Sequence, residues 1–180
     1  LTTSEAFTVT ANDVNDAPTA ITLSATAVDE NAAGAVVGTL STTDVDAGDS
    51  HTYSLSGTDA SSFEVVSGQL KLKDSVSANY ESKSSYAVTV TATDSGGLTT
   101  SQAFTVTVND VNDAPTAIAL SATAINENAA GAVVGTLTTT DVDAGDSHTY
   151  SLSGTDASSF EVTSGQLKLK DSVTADYEAK

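Results

Sequence analysis

Carboxylate side chains are concentrated in a few short motifs of this 180-residue chain, and their spacing could build cation sites. The motif Val-Asp-Glu-Asn contains Glu30, and Asp-Val-Asp supplies Asp44 and Asp46. Further along, Asn-Tyr-Glu contains Glu81, and Asp94 closes a Thr-Ala-Thr-Asp stretch. Acids that bind metal are clustered in this way, whereas acids that only aid solubility are scattered.

The composition narrows the chemistry that these motifs can perform. There are 24 acidic and 6 basic residues, so the net charge of −18 excludes nucleic acid and anionic membranes, which both need a basic face. Cys is absent, which excludes disulfides and thiolate metal sites, and no apolar run is long enough to predict membrane insertion. Oxygen donors alone favour Ca²⁺ over Mg²⁺ or Zn²⁺. Because two carboxylates 4 Å apart repel by about 4 kcal/mol, such clusters predict bound cations.

An internal repeat organises the whole chain. The ten residues 12–21 recur as residues 109–118, an offset of 109 − 12 = 97. A period of this size is typical of small β-sandwiches and far exceeds one solenoid turn. We therefore interpret residues 1–16 as the last strand and linker of an upstream repeat, 17–113 as a complete repeat, and 114–180 as a truncated repeat that lacks its last two strands.

Alternation of apolar and polar residues predicts the fold. In the segment Tyr86 to Ala92, the apolar residues alternate with Thr89 and Thr91, which is the period of a half-buried strand. Six further segments of the complete repeat alternate or are bounded by turn residues in the same manner. The sequence thus predicts an all-β protein of tandem seven-stranded Greek-key β-sandwiches of the immunoglobulin-like class, stacked end to end.

Strand ends in a sandwich alternate between its two poles, which predicts where the acids gather. One pole would hold Glu30, Glu81 and Asp110, and the other Asp44, Asp46 and Asp94. Stacking of repeats would then bring six carboxylates together at the complete junction: Glu30, Glu81, Asp110, Asp113, Asp141 and Asp143. The junction between repeats is therefore the predicted calcium centre.

The order of these motifs, ending in Asp-Val-Asn-Asp-Ala-Pro, resembles that of cadherin repeats. The resemblance implies that several calcium ions per complete linker lock neighbouring repeats of the same chain. At the complete junction the implied ligands are Glu30, Glu81, Asp110, Asn112 (through its backbone carbonyl), Asp113, Asp141 and Asp143. At the N-terminal junction they are Asp13, Asn15, Asp16, Asp44, Asp46 and Asp94. At the C-terminal end they are Glu127, Asp176 and Glu178.

The resemblance is to cadherin-like tandem repeats of large bacterial extracellular adhesins of the RTX type. It implies a non-enzymatic spacer, at the cell surface or secreted, that supports cell adhesion or biofilm attachment through a cell-surface or polysaccharide ligand elsewhere in the parent protein. The alternative is a cadherin-like module that binds another copy of itself or a polysaccharide. Such a module could also be an accessory domain of a secreted enzyme. Self-association through the truncated ends is a further expectation.

Competing interpretations of single features stay open at this point. The acids could form only a solvated surface, and residues 44–49 resemble an EF-hand loop without its helix or final Glu. Two departures from the cadherin motifs, Ala114 in the linker and Asn79 in place of an acid, predict weaker occupancy of one ion. His51 and His148 occupy equivalent positions without a second ligand, and we expect exposed residues at the start of a strand.

Overall fold

The computed structural model describes residues 1–179. The chain divides into two compact units, Leu1–Val111 and Asn112–Lys180. The strands of the first unit are β1 (Ala20–Leu23), β2 (Ala27–Asp29), β3 (Val36–Thr43), β4 (Thr52–Ser56), β5 (Phe63–Val66), β6 (Gln69–Leu72), β7 (Ser85–Thr93) and β8 (Thr99–Asn109). Those of the second unit are β9 (Ala117–Leu120), β10 (Val133–Thr140), β11 (Phe160–Thr163) and β12 (Gln166–Leu169). Short 3₁₀ turns span Ala60–Ser62 and Ala157–Ser159.

Two four-stranded sheets form the sandwich of the first unit. One has the order β1-β3-β6-β5 and the other β2-β8-β7-β4. All seven strands predicted for residues 17–113 are present, which confirms the all-β class and the sandwich architecture. The structure adds one strand to the seven, because β2 is a short eighth strand that pairs in parallel with β8.

The core follows the predicted alternation. Val88, Val90 and Val106 from the β7–β8 pair are at most 2% exposed, and Leu70 of β6 is fully buried opposite them. Large side chains also meet edge to face across the core, where Phe63 and Tyr86 have ring centroids 5.7 Å apart. Burial of one face of each sheet therefore fixes the strand registers that position the acidic loops.

A glycine allows the chain to pass from one sheet to the other between β1 and β2. A Cβ atom on Gly38 of β3 would lie 2.8 Å from the backbone nitrogen of Ala25 and from Oγ of Ser24. The β3–β6 register shifts next to this glycine. Only a residue without a side chain leaves room for the crossing, which delivers Glu30 to the end of the second sheet.

The second unit contains one sheet, of order β11-β12-β10-β9, whose strands and registers match those of β5, β6, β3 and β1. Residues 124–126 and 149–153, which correspond to β2 and β4, form no strand. In the first unit these strands pair with β8 and β7, and residues 112–179 form no strands equivalent to those two. Phe160 and Leu167 remain partly exposed, whereas the equivalent Phe63 and Leu70 are 2% and 0% exposed.

Residues 1–19 form no strand, although their alternation predicted the last strand of an upstream repeat. Phe7 and Val9 are 82% and 91% exposed, while the equivalent Phe104 and Val106 are partly and fully buried. The difference has a physical reason, because a strand needs a neighbour and β8 finds its neighbours in β2 and β7. Among the described residues no helix is long and apolar enough to cross a membrane.

Candidate metal centre

Two groups of acids lie at opposite ends of β8 in the first unit. Near the end of β8, Glu30, Glu81 and Asp110 each place a carboxylate oxygen within 4.8 Å of the others. Near its start, Asp94 closes the β7–β8 hairpin and shares a second such cluster with Asp44 and Asp49. The eleven residues of β8 separate the clusters by roughly 35 Å. The predicted gathering of Glu30 with Glu81 and Asp110, and of Asp44 with Asp94, agrees with these positions.

Glu30 is held in place by backbone donors. Glu30 is only 3% exposed and lies directly after β2. The next residue, Asn31, turns the chain with a positive φ of 63°, a conformation that Asn tolerates. The backbone nitrogen of Tyr80 donates to Oε2 at 2.9 Å, and that of Val111 donates to Oε1 at 2.8 Å. These two hydrogen bonds, first that from Tyr80, lower the pKa of Glu30. The side chain is therefore anionic at neutral pH.

Asp44 has a partner that the sequence did not suggest. Nε2 of His51 lies 2.9 Å from Oδ2 of Asp44, and the backbone nitrogen of Asp46 donates to Oδ1 at 3.2 Å. The contact with His51 is the main reason that the pKa of Asp44 is lowered. The prediction of an exposed His51 was wrong, because its side chain is 12% exposed and packs on this carboxylate.

Asp94 is 6% exposed at the end of β7. Burial by itself would raise the pKa of Asp94, but hydrogen bonds from Asn15 and from the backbone nitrogen of Leu98 outweigh it and lower the pKa. Nδ2 of Asn15 lies 3.1 Å from Oδ2, and the nitrogen of Leu98 lies 2.8 Å from Oδ1. The predicted N-terminal linker residue Asn15 therefore does reach this cluster.

The other residues predicted for the N-terminal junction are placed less centrally. Asp46 accepts a 2.7 Å hydrogen bond from the backbone nitrogen of Asp16, so both lie beside the cluster without belonging to it. Asp13 is exposed and joins no acid cluster within residues 1–179. Sequence reasoning missed Asp49, although its position five residues after Asp44, in a Gly-containing turn, could have indicated it.

The second unit repeats part of this arrangement. Asp141 contacts Nε2 of His148 at 2.8 Å, which lowers the pKa of Asp141, and Asp143 accepts from the backbone nitrogen of Asp113 at 2.5 Å. The side chain of Asn112 donates to the carbonyl of Asp113 at 2.9 Å, as Asn15 does to Asp16. Repetition of these contacts in two separate units shows that they arise from the local sequence.

A third cluster lies near the end of the described chain. Glu127, Asp176 and Glu178 bring carboxylate oxygens within 4.8 Å of one another, and all three residues are exposed. Glu127 accepts from the backbone nitrogen of Tyr177 at 3.1 Å, as Glu30 does from Tyr80. The predicted C-terminal set is thus gathered by the same turn that gathers Glu30 and Glu81.

The donor chemistry of these clusters fits a hard cation. Every candidate ligand is a carboxylate or an amide or backbone oxygen, which suits Ca²⁺ with its six to eight oxygen ligands in flexible geometry. Two carboxylate oxygens, Oδ2 of Asp49 and Oδ1 of Asp143, are buried and have no hydrogen-bond partner. A cation would satisfy each of these atoms, so the residues present fit calcium.

Comparisons with known proteins agree with the architecture. Residues 24–109 match the family model described as Cadherin domain. Cadherin domains are extracellular, non-enzymatic adhesion modules, and they generally bind Ca²⁺. No curated protein matches the chain.

Solved structures of cadherin type superpose on most of the chain. The match to human protocadherin-24 EC1-2 has a TM-score of 0.67 at 24% identity, and it covers 93% of this chain and 82% of the protocadherin chain. The match to a second crystal form of the same protein has a TM-score of 0.63 at 27% identity, and it covers 88% of this chain and 80% of the protocadherin chain. The match to mouse cadherin-23 EC22-24 has a TM-score of 0.57 at 26% identity, and it covers 85% of this chain and 53% of the cadherin-23 chain.

Proposed function

We propose that this chain is part of a calcium-rigidified spacer in an extracellular adhesin, of the large bacterial kind that its motifs resemble, and that it supports cell adhesion or biofilm attachment. The observation that carries this proposal is the pair of three-carboxylate clusters at opposite ends of β8, in a domain of cadherin type. A module with a cation site at each end can bind ions wherever it meets a neighbour in a tandem array.

The electrostatics of the clusters support bound calcium. The lowered pKa values of Glu30, Asp44 and Asp94 keep these carboxylates anionic at neutral pH. Like charges this close repel, and a divalent cation turns the repulsion into attraction. The same proposal extends to the remaining predicted ligands: Asp13, Asn15, Asp16, Asp46, Asn112, Asp113, Glu127, Asp141, Asp143, Asp176 and Glu178.

The repeated sequence supports a spacer. Residues 12–21 and 109–118 are identical, the four strands of the second unit match β1, β3, β5 and β6 of the first, and the His–Asp contact recurs in both units. A spacer requires length and stiffness from each repeat, so near-copies serve it well. A set of binding modules for different ligands would require different surfaces.

Thermal unfolding of the whole chain in millimolar Ca²⁺, in EGTA, and in EGTA with Mg²⁺ tests calcium binding. We expect Ca²⁺ alone to raise the melting temperature by about 10 °C or more, because a ligand that binds only the folded state stabilises it by mass action. Equal melting temperatures in the three solutions would show that the acids form only a solvated surface and would refute the proposal.

A matched pair of variants connects the effect to the clusters. Glu30→Gln removes one charge from a cluster, whereas Asp29→Asn removes one from the neighbouring exposed residue outside the clusters. We expect Glu30→Gln to lose a large part of the calcium-induced shift and Asp29→Asn to keep it. Small-angle X-ray scattering with and without Ca²⁺ tests rigidification separately from binding. A scattering profile that does not change on addition of calcium would contradict the proposal that calcium makes the chain rigid.

A further inference from the structure

We infer that Asp49 is a direct ligand of the cation at the cluster that it forms with Asp44 and Asp94. This inference rests on the proposed function, which supplies the cation. It goes beyond that function because the motifs that resemble cadherin repeats do not include Asp49. Asp49 would add a third anionic side chain to a site otherwise made by Asp44 and Asp94, with Asp46 beside them.

The β3–β4 loop directs Asp49 toward the other acids. The backbone nitrogen of Asp49 donates to the carbonyl of Asp46 at 3.3 Å, which closes a turn through Gly48 at a φ of 98°. Gly tolerates this left-handed conformation without strain. The turn brings a carboxylate oxygen of Asp49 within 4.8 Å of oxygens on both Asp44 and Asp94.

The two oxygens of Asp49 have different surroundings. Oδ1 accepts a 2.8 Å hydrogen bond from Oγ of Ser95, whereas Oδ2 is buried and accepts none. Among the described residues of the first unit, no other buried side-chain oxygen or nitrogen lacks a partner. A buried carboxylate oxygen without a partner loses hydration and gains nothing in return. A cation between the three acids would provide the missing partner.

The neighbouring carboxylates use their oxygens differently. Both oxygens of Asp44 are hydrogen-bonded, to His51 and to the backbone of Asp46. Both oxygens of Asp94 are likewise bonded, to Leu98 and Asn15. Oδ2 of Asp49 therefore has the most coordination capacity remaining in the cluster.

The second repeat provides a matched control. Asp146 is equivalent to Asp49 by the offset of 97, but it is exposed and belongs to no acidic cluster within residues 1–179. Substitution at either position removes one negative charge from the same chain. A difference between the two variants therefore cannot come from the change in net charge.

The test compares Asp49→Asn with Asp146→Asn in the full chain, by calorimetric titration with CaCl₂ and by thermal unfolding in EGTA. Asn at position 49 still accepts from Ser95, so the turn persists. We expect Asp49→Asn to weaken one calcium site about tenfold or more, since ligand charge sets affinity in such sites. We expect Asp146→Asn to change no site by more than about twofold, because an exposed charge is screened by salt.

The melting temperature in EGTA separates a ligand from a structural residue. If Asp49 is a ligand, neutralising it relieves repulsion in the ion-free cluster, so Asp49→Asn melts higher in EGTA although it binds calcium more weakly. Calcium affinity equal to that of Asp146→Asn, with or without a lower melting temperature, would overturn the inference and leave the proposed function intact. Absence of calcium binding by the unmodified chain would overturn both.

Discussion

Nε2 of His51 lies 2.9 Å from Oδ2 of Asp44. The same contact recurs at 2.8 Å between His148 and Asp141, in a unit whose described residues form a single sheet. The contact therefore belongs to the loop between the two residues and does not depend on a completed core. Hydrogen bonds to both oxygens of Asp44 fix the plane of its carboxylate, which is how residues behind a metal ligand orient it.

We predict that His51→Ala weakens calcium binding about tenfold, because Asp44 loses the donor that orients it. His51→Gln, which keeps a side-chain N–H donor, should recover a large part of the loss. Titration with CaCl₂ at a temperature well below unfolding measures both variants. If both the His51→Gln and the His51→Ala variants bind calcium with the affinity of the parent chain, the contact has no part in positioning the carboxylate.

Truncation of the core should have unequal effects in the two repeats. Leu70→Ala is expected to cost about 2–5 kcal/mol of unfolding free energy, because Leu70 is fully buried and the cavity cannot close completely. Leu167→Ala at the equivalent, partly exposed position should cost less. Urea denaturation followed by circular dichroism measures both. Equal losses would show that the two leucines are equally packed in solution.

Gly38→Ala should destabilise the first unit by about 1–3 kcal/mol, because its Cβ would meet the backbone of Ala25 at 2.8 Å and the backbone cannot move aside cheaply. The neighbouring Thr39→Ala, on the exposed side of the same strand, should stay within about 1 kcal/mol. Denaturation in EGTA gives both values. A Gly38→Ala variant as stable as the parent would mean that the β1–β2 crossing is more adaptable than this contact indicates.

Asp59 predicts a pH dependence that is separate from calcium. Its ion pair with Lys83, followed by the hydrogen bond from the backbone nitrogen of Ala87, lowers its pKa below the usual 3.8. Because the folded state binds the proton more weakly than the unfolded state, this stabilisation is complete above pH 3.8 and is lost as the pH falls through the folded pKa.

Asp59→Asn should therefore lower the free energy of unfolding in EGTA by at most about 1 kcal/mol near neutral pH, since Lys83 is 41% exposed and solvent screens the pair. The difference from the parent should shrink as the pH falls below 3.8. Urea denaturation at several pH values measures it, with the exposed Asp146→Asn as the control. A difference that is constant with pH would exclude the ion pair as its source.

The sequence predicted the parts of the fold that depend on regular patterns. Long alternating segments such as Tyr86 to Ala92 identified the strands, because burial of one sheet face imposes a period of two. The three residues of β2 are too few to show a period. Their parallel pairing with β8 depends on the crossing at Gly38, which is a tertiary contact.

The same limit applies to the candidate site. Glu30, Asp44 and Asp94 could be found because each follows a strand, and strand ends converge at the poles of a sandwich. Asp49 and His51 lie in a loop, where the backbone direction depends on turns at Gly48 and Asp46 rather than on a period. Their partners became visible only with the loop conformation.

The parallel pairing of β2 with β8 has a mechanical consequence. Tension on the two ends of the first unit pulls the start of β2 toward the Asp44 cluster and the end of β8 toward the Glu30 cluster. Parallel neighbours pulled in this way slide lengthwise, so the hydrogen bonds between Ala27–Asp29 and residues 107–109 are loaded in shear and must break together. Antiparallel neighbours joined by a hairpin, such as β7 and β8, can instead be peeled apart one bond at a time. The shortest strand of the sandwich therefore acts as a clamp against extension.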